Sequence, residues 1–227
     1  MPRGKQSKGE CTSCGQEITK SGVTKHLSAC PKHQAILQKA ERQRVGSEVL
    51  YHLRVQDAWR NEFWLDLEMC GSATLKDLDG YLRAIWLECC GHMSRFSVGG
   101  WRGEEIPQRR RADEVFEPGI QLTHIYDFGT SSETLLKVVG TREGKPTTSR
   151  PIALTARNLM PEAKCLECEQ PAVWLCTECL IEEEIWGALC DEHAQTHPHD
   201  NYGEPIRLVN SPRLGMCGYE GPAEPPY

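Results

Sequence analysis

Between Cys165 and His199 the chain carries eight soft donors: Cys165, Cys168, Cys176, Cys179, Cys190, His193, His197 and His199. Their spacing is C-x2-C-x7-C-x2-C-x10-C-x2-H-x3-H-x1-H. Eight such donors complete two tetrahedral zinc sites with four protein ligands each. A closed site leaves no position for water or substrate, so zinc of this kind holds a fold and performs no chemistry. A segment of 35 residues is too short to fold on a hydrophobic core alone. Metal binding then supplies most of its folding free energy.

A C-x2-C knuckle gives two ligands from one tight turn, so each site draws its second pair from elsewhere. One arrangement interleaves the pairs: Cys165, Cys168, Cys190 and His193 on one ion, then Cys176, Cys179, His197 and His199 on the other. The alternative puts the first four cysteines on one ion, as in a zinc ribbon. Interleaving strands no pair and is the expectation, with the one-residue gap before His199 making the eighth position the hardest to satisfy. Together with Pro171-Ala172 after the first knuckle and Leu189 before Cys190, this order resembles a B-box-type cross-brace.

A second donor set lies near the start. Residues 11–33, CTSCGQEITKSGVTKHLSACPKH, contain Cys11, Cys14, His26 and Cys30 as C-x2-C-x11-H-x3-C, with His33 as a substitute ligand. His26 and Cys30 are four apart, a spacing that shares one helix face. The helix is expected to start at Thr19 or Ser21. The pattern resembles a C2HC zinc finger, a short hairpin followed by a helix, and makes three zinc ions the expected total. In such fingers the helix can enter the major groove. Lys20, Lys25, Lys32, Lys39, Arg42 and Arg44 surround it, so phosphate contact is one expectation. One finger makes too few contacts to read a sequence by itself. Protein contact and simple capping of a domain are the other readings.

The chain of 227 residues allows one to three domains. Its opening residues, MPRGKQSKGE, contain no apolar run, and no stretch approaches the roughly 18 apolar residues of a membrane span. Clustered CxxC pairs without a secretion signal point to a reducing compartment, and the cytoplasm is the expected location. The net charge of −6 conceals an asymmetry. Residues 1–44 hold nine Lys/Arg against three Asp/Glu, whereas residues 161–227 hold three against thirteen. A basic head and an acidic tail suit different partners: nucleic acid for the first, a protein for the second, a membrane for neither.

Composition and periodicity divide the rest. Residues 1–10 read as a disordered basic tail, 11–33 as the finger, and 34–48 as a helical linker. Residues 49–160 form a central domain, 161–204 the two-zinc module, and 205–227 an extended tail. In the central domain, 49–58 and 62–70 read as a hairpin, with Phe63, Leu65, Leu67 and Met69 on one face. Ser72 or Thr74 then caps a helix whose stripe is Leu75, Leu78, Leu82, Ile85 and Trp86. Residues 92–100 read as a strand, 101–119 as a polar loop, 121–129 and 134–142 as a second hairpin, and 151–157 as a last strand. In the tail, Ile206, Leu208 and Val209 are placed to add an edge strand. The expected class is α+β: a central antiparallel or mixed sheet with one packed helix, in a β-grasp-like arrangement, flanked by small zinc-stabilised modules.

The run GSATLKDLDGYLRAIW, then GHMSRF, then YDFG resembles the plasmid pRiA4b ORF-3 family over about half the chain. The matching positions are Thr74, Leu75, Leu78, His92, Phe96, Tyr126, Asp127, Phe128 and Gly129. Asp79 stands where that family commonly has His, and Thr130, Ser132 and Thr134 stand where Asp, Trp and His are usual. The resemblance implies a fold and an association with mobile elements or nucleic acid, and it names no activity.

Little other chemistry is legible. His92, His124, Asp127 and Glu88 are the residues that a catalytic reading needs together, and no nucleophile elbow, P-loop, dinucleotide fingerprint or HExxH motif accompanies them. Cys89 and Cys90 are vicinal and read as one buried and one half-exposed thiol, with redox or metal sensing as a further option. Cys70 reads as buried. Cys217 is a reserve ligand. The Arg109–Arg111 run is nearly cancelled by Glu104, Glu105, Asp113 and Glu114. The sequence as a whole reads as a zinc-binding, non-enzymatic interaction protein.

Overall fold

A computed structural model of the chain describes residues 7–86, 90–218 and 223–227. A hairpin of β1 (Lys8–Cys11) and β2 (Glu17–Thr19) leads into α1 (Val23–Ala29) and α2 (Pro31–Glu41). The long strands β3 (Glu48–Asp57) and β4 (Trp64–Cys70) precede α3 (Leu75–Trp86). Then come β5 (Ser94–Val98), β6 (Glu104–Ile106), α4 (Ala112–Val115), β7 (Gln121–Tyr126), β8 (Ser132–Gly144) and β9 (Ile152–Asn158). The C-terminal part holds β10 (Trp174–Leu175), α5 (Thr177–Ile181), β11 (Ala188–Leu189), α6 (His193–Thr196) and β12 (Ile206–Arg207).

The fold is α+β. Nine strands form one sheet in the order β2-β1-β9-β4-β3-β8-β7-β5-β6, and every pairing is antiparallel. Helix α3 supplies the main packing layer. Thr74 and Asp77 cap it reciprocally: Thr74 N donates to Asp77 Oδ2 at 2.7 Å, and Asp77 N donates to Thr74 Oγ1 at 3.3 Å. The expected stripe of Leu75, Leu78, Leu82, Ile85 and Trp86 is fully buried and packs with Leu53, Val55, Leu65, Leu67 and Leu122 of the sheet.

Successive residues of a strand face opposite sides. In β4, Leu65, Leu67 and Met69 meet the α3 core, so Trp64 and Asp66 turn to the other face. There the N-terminal segment covers Trp64 with Cys11, Ile18, Val23, Leu27 and Cys30. Residues 8–10, expected to be disordered, are instead part of the sheet. Gly9 pairs with Asn158, Glu10 with Arg157 and Cys11 with Ala156. The cause is burial of the Trp64 indole, whose Nε1 donates to Ser7 Oγ at 2.5 Å. Gly9 has to be glycine at this approach, because a Cβ there would lie 2.4 Å from both Arg157 O and Trp64 Cζ2. Gly9→Ala is therefore expected to destabilise the chain by about 1–3 kcal/mol through overpacking. An unchanged thermal melt for that variant would contradict the docking of β1.

Residues 101–119 are not a featureless loop. Ile106 pairs with Phe96, while Ala112 and Phe116 anchor α4 in the main core. These few apolar residues, spaced among charges, suffice to fix two short elements. The arginine run is neutralised locally, Arg110 by Glu114 at 2.7 Å and Arg111 by Asp113.

The C-terminal part is tied to the sheet by its tail. β12 adds to β10, opposite β11, to give a three-stranded sheet. Leu214 and Ala223 pack on Leu175, Asn158 Nδ2 donates to Asn210 Oδ1 at 2.7 Å, and Arg157 donates to the Ala223 carbonyl at 2.9 Å.

Candidate metal centres

The second knuckle and its partners converge through local structure. Cys176 is the N-cap of α5, and its sulfur accepts from Cys179 N at 3.4 Å. Gly187 passes so close that a Cβ there would sit 2.5 Å from Cys179 Cβ. The β10–β11 pair carries the chain back, and Leu166 N donates to Ala188 O at 2.7 Å, which brings Cys190 beside the first knuckle. Helix α6 then presents His193, and the extended exit at His197 turns His197 and His199 toward the second knuckle.

The donors group in the interleaved order. Cys165, Cys168, Cys190 and His193 form one cluster, and Cys176, Cys179, His197 and His199 form another, with all donor atoms of each within 4.8 Å of one another. The ribbon pairing is not the one formed. A third cluster joins Cys11, Cys14, His26 and Cys30. Cys11 ends β1 and Cys14 lies in the turn before β2, His26 lies on α1, and Cys30 is the extended residue joining α1 to α2. Cys30 thus reaches the cluster from a break between helices rather than from the face of one continuous helix. α1 begins at Val23, after a turn of 3-10 helix, later than Thr19 or Ser21. His33 stays outside the cluster, buried and 3.3 Å from Ser13 Oγ, with its imidazole lowered by desolvation.

The separations fit a tetrahedral ion. Bonds of about 2.3 Å to sulfur and roughly 2.0–2.1 Å to nitrogen place neighbouring donors some 3.3–3.8 Å apart. Cys14 Sγ lies 3.4 Å from His26 Nε2. In the first C-terminal cluster Cys165 Sγ and Cys190 Sγ lie 3.5 and 3.3 Å from His193 Nδ1, and Cys168 Sγ is 3.9 Å from Cys190 Sγ. In the second, Cys179 Sγ lies 3.2 Å from both His197 Nε2 and His199 Nδ1, and Cys176 Sγ is 3.7 Å from His199 Nδ1.

The electrostatics are compatible with a cation. Burial resists ionisation of Cys165, yet the N–H groups of Cys190, Glu167 and Cys168 pull its thiol down to about 6. Burial, then the neighbouring Cys176 and Glu183, pushes Cys179 up to about 12. Thiols this close cannot all ionise unless a cation sits among them, and a coordinating thiol is deprotonated outright. Glu167, a residue the spacing motif does not include, sits inside the first knuckle and faces both sites. Its Oε1 is 2.8 Å from His197 Nδ1 and its Oε2 is 3.8 Å from His193 Nε2. A carboxylate on the far nitrogen of a ligating imidazole fixes its tautomer and orientation.

The residues of the catalytic reading divide, His124 from His92 and Asp127. His124 is fully buried, with Nε2 2.8 Å from Asp79 Oδ1, and Asp79 also accepts from Ser94 Oγ at 2.6 Å and Arg83 Nε at 2.7 Å. His92 is exposed and meets Asp127 instead, with Nδ1 3.6 Å from Oδ2. Glu88 and Cys89 lie outside the described residues, and Cys70 is buried as expected. Burial opposes ionisation of Asp79, but its bonds to His124, Ser94 and Arg83 hold the carboxyl down to about 2. Because the folded value is below the unfolded one, the network contributes stability fully above about pH 5 and loses it as pH falls toward 2. At pH 7 that amounts to roughly 2–3 kcal/mol. In urea unfolding the gap between wild type and Asp79→Asn is expected to halve, approximately, by pH 3. A gap unchanged with pH would contradict this role.

No protein-family model matches the chain, and no curated protein matches it. A crystal structure of MM3350, a protein of unknown function from Methanosarcina mazei Go1, is similar at a TM-score of 0.41 and 18% identity, over 48% of this chain and 69% of that one. Among the described residues no helix is long and apolar enough to cross a membrane.

Proposed function

We propose that the protein is a zinc-stabilised, non-enzymatic interaction protein whose acidic C-terminal module docks a basic segment of a protein partner. The observation that carries this reading is the set of three four-donor clusters, each with all its donor atoms within 4.8 Å of one another. Zinc would be held at Cys11, Cys14, His26 and Cys30, and in the two interleaved C-terminal sites, and a B-box-like module is part of the proposal, resting on the order in which the donors group. Beside the second of these sites lies a groove of about 550 Å³, lined in part by Trp174, Asp191, Asp200, Glu204 and Pro205. Trp174 already carries a cation on its ring, the Arg207 guanidinium at 5.2 Å, and its Nε1 donates to Asp191 Oδ1 at 2.8 Å. An aromatic wall with carboxylates around it suits Lys or Arg side chains. Membership of the pRiA4b ORF-3 family is part of the proposal and rests on the motif residues alone.

A second reading rests on the exposed Lys25, Lys32, Lys39 and Arg42 along α1 and α2. It makes the N-terminal segment a phosphate-contacting surface for nucleic acid. One pair of titrations separates the two. Zinc-loaded full-length protein should bind a fluorescent Arg/Lys-rich peptide, and Asp191→Lys with Glu204→Lys should abolish that binding. Absence of peptide binding overturns the first reading. Salt-dependent binding of duplex DNA that weakens in Lys25→Gln and Lys32→Gln would assign the second.

A further inference from the structure

We propose that Cys90, His92 and Cys217 form a fourth metal site, a three-ligand site for Zn2+ with its remaining coordination position open to solvent. The donor atoms of these three residues lie within 4.8 Å of one another, the same closeness that defines the three four-donor clusters. The set differs from those clusters in two ways. It offers three ligands rather than four, and all three residues are exposed, whereas each closed cluster contains buried cysteines. Two thiolates and one imidazole are a zinc-binding set, and three protein ligands with a vacant position characterise zinc that exchanges ligands.

The ligands come from segments more than a hundred residues apart in the chain, and the fold brings them together. Cys90 and His92 lie on the segment between α3 and β5, while Cys217 belongs to the tail. Arg213 fixes the tail. It is fully buried, donates to Asp127 Oδ2 at 2.9 Å, to Thr130 O at 2.9 Å and to Ser132 Oγ at 3.3 Å, and lies over the Tyr126 ring at 4.7 Å. One turn later Cys217 adopts a left-handed backbone, φ 56 and ψ 22. A residue with a side chain adopts that region at a cost, and such strain gathers at ligand sites.

Asp127 acts as the supporting carboxylate rather than as a fourth ligand. Its Oδ1 accepts from Gly129 N at 2.9 Å and Thr130 N at 3.3 Å, which holds the turn. Its Oδ2 is engaged by Arg213 and faces His92 Nδ1 at 3.6 Å. A carboxylate so placed orients the imidazole. With its oxygens committed, the fourth position on the ion falls to water or to a small ligand from solution.

The test is a metal count on full-length, reduced protein equilibrated with excess Zn2+, before and after a mild chelator. One equivalent more is expected before the chelator than after it. His92→Ala and Cys217→Ser should each lose that labile equivalent and keep the tightly held metal and the wild-type thermal melt. A wild-type count that the chelator does not change, or variants that retain the labile equivalent, would overturn the proposal. The difference between wild type and variants stands whatever the closed clusters hold, so failure here is distinct from failure of the zinc-stabilised reading.

Discussion

Removing metal with a strong chelator under reducing conditions is expected to unfold residues 165–199 while the central sheet stays paired. The reason is the make-up of the C-terminal core. The cluster around the knuckles buries Cys165, Cys176, Cys179, Leu189 and Cys190, four of them donors, while Leu175 is buried separately against Leu214 and Ala223 of the tail. Trp174 and Ala194 add partial cover. Apparent binding free energies of structural zinc are about 10–16 kcal/mol near pH 7 for each ion, more than the few apolar side chains buried in this segment, Leu175, Ala188 and Leu189, supply. The central sheet, by contrast, buries the whole α3 stripe against β3, β4, β7 and β8, and among the described residues its core holds no donor cluster. Cys179→Ser should reproduce the effect in part. It empties the second site, and because Glu167 faces both His193 and His197, the first site loosens as well. Limited proteolysis of the chelated protein should cut within 165–199 first. Equal resistance of that segment with and without metal would contradict this expectation.

The second large effect belongs to Arg213. Arg213→Met is expected to destabilise the fold by about 3–5 kcal/mol, the usual consequence of removing one partner of a buried ion pair. The Asp127 carboxylate is nearly inaccessible, and the substitution leaves it with two backbone donors and the His92 imidazole at 3.6 Å in place of a permanent cation. Thr130 O and Ser132 Oγ lose a donor at the same time. Adding Asp127→Asn should recover part of the loss, since the stranded charge then disappears, and the non-additivity measures the pair. Urea unfolding of the two single variants and the double variant gives the answer. A loss below about 1 kcal/mol for Arg213→Met would mean that the tail is not anchored at this pair.

What was legible in the sequence follows from how local its causes are. Eight donors in 35 residues leave few ways to build two closed sites, so the interleaved grouping could be read from spacing. The α3 stripe and the β3–β4 and β7–β8 hairpins announce themselves through periodicity of 3.6 and of 2. The pairing of β1 with β9 does not, because its cause is the Trp64 indole, far along the chain and on the face opposite the obvious apolar row. Residues 104–106 and 112–115 were hidden by charge, since two or three apolar anchors carry little periodic signal. Glu167 carried a faint signal, an acidic residue inside a knuckle. Arg213 carried only its position among apolar residues of the tail. The grouping of Cys90, His92 and Cys217 depends on the path of that tail and so was beyond any local pattern.

The most direct test of the closed metal centres is the zinc content of purified, reduced full-length protein after a mild chelator, with Cys190→Ser beside it. Three tightly held zinc ions are expected in the wild type, and the variant should lose at least one and expose residues 165–199 to protease. A wild-type chain that folds fully and holds no zinc would contradict the account.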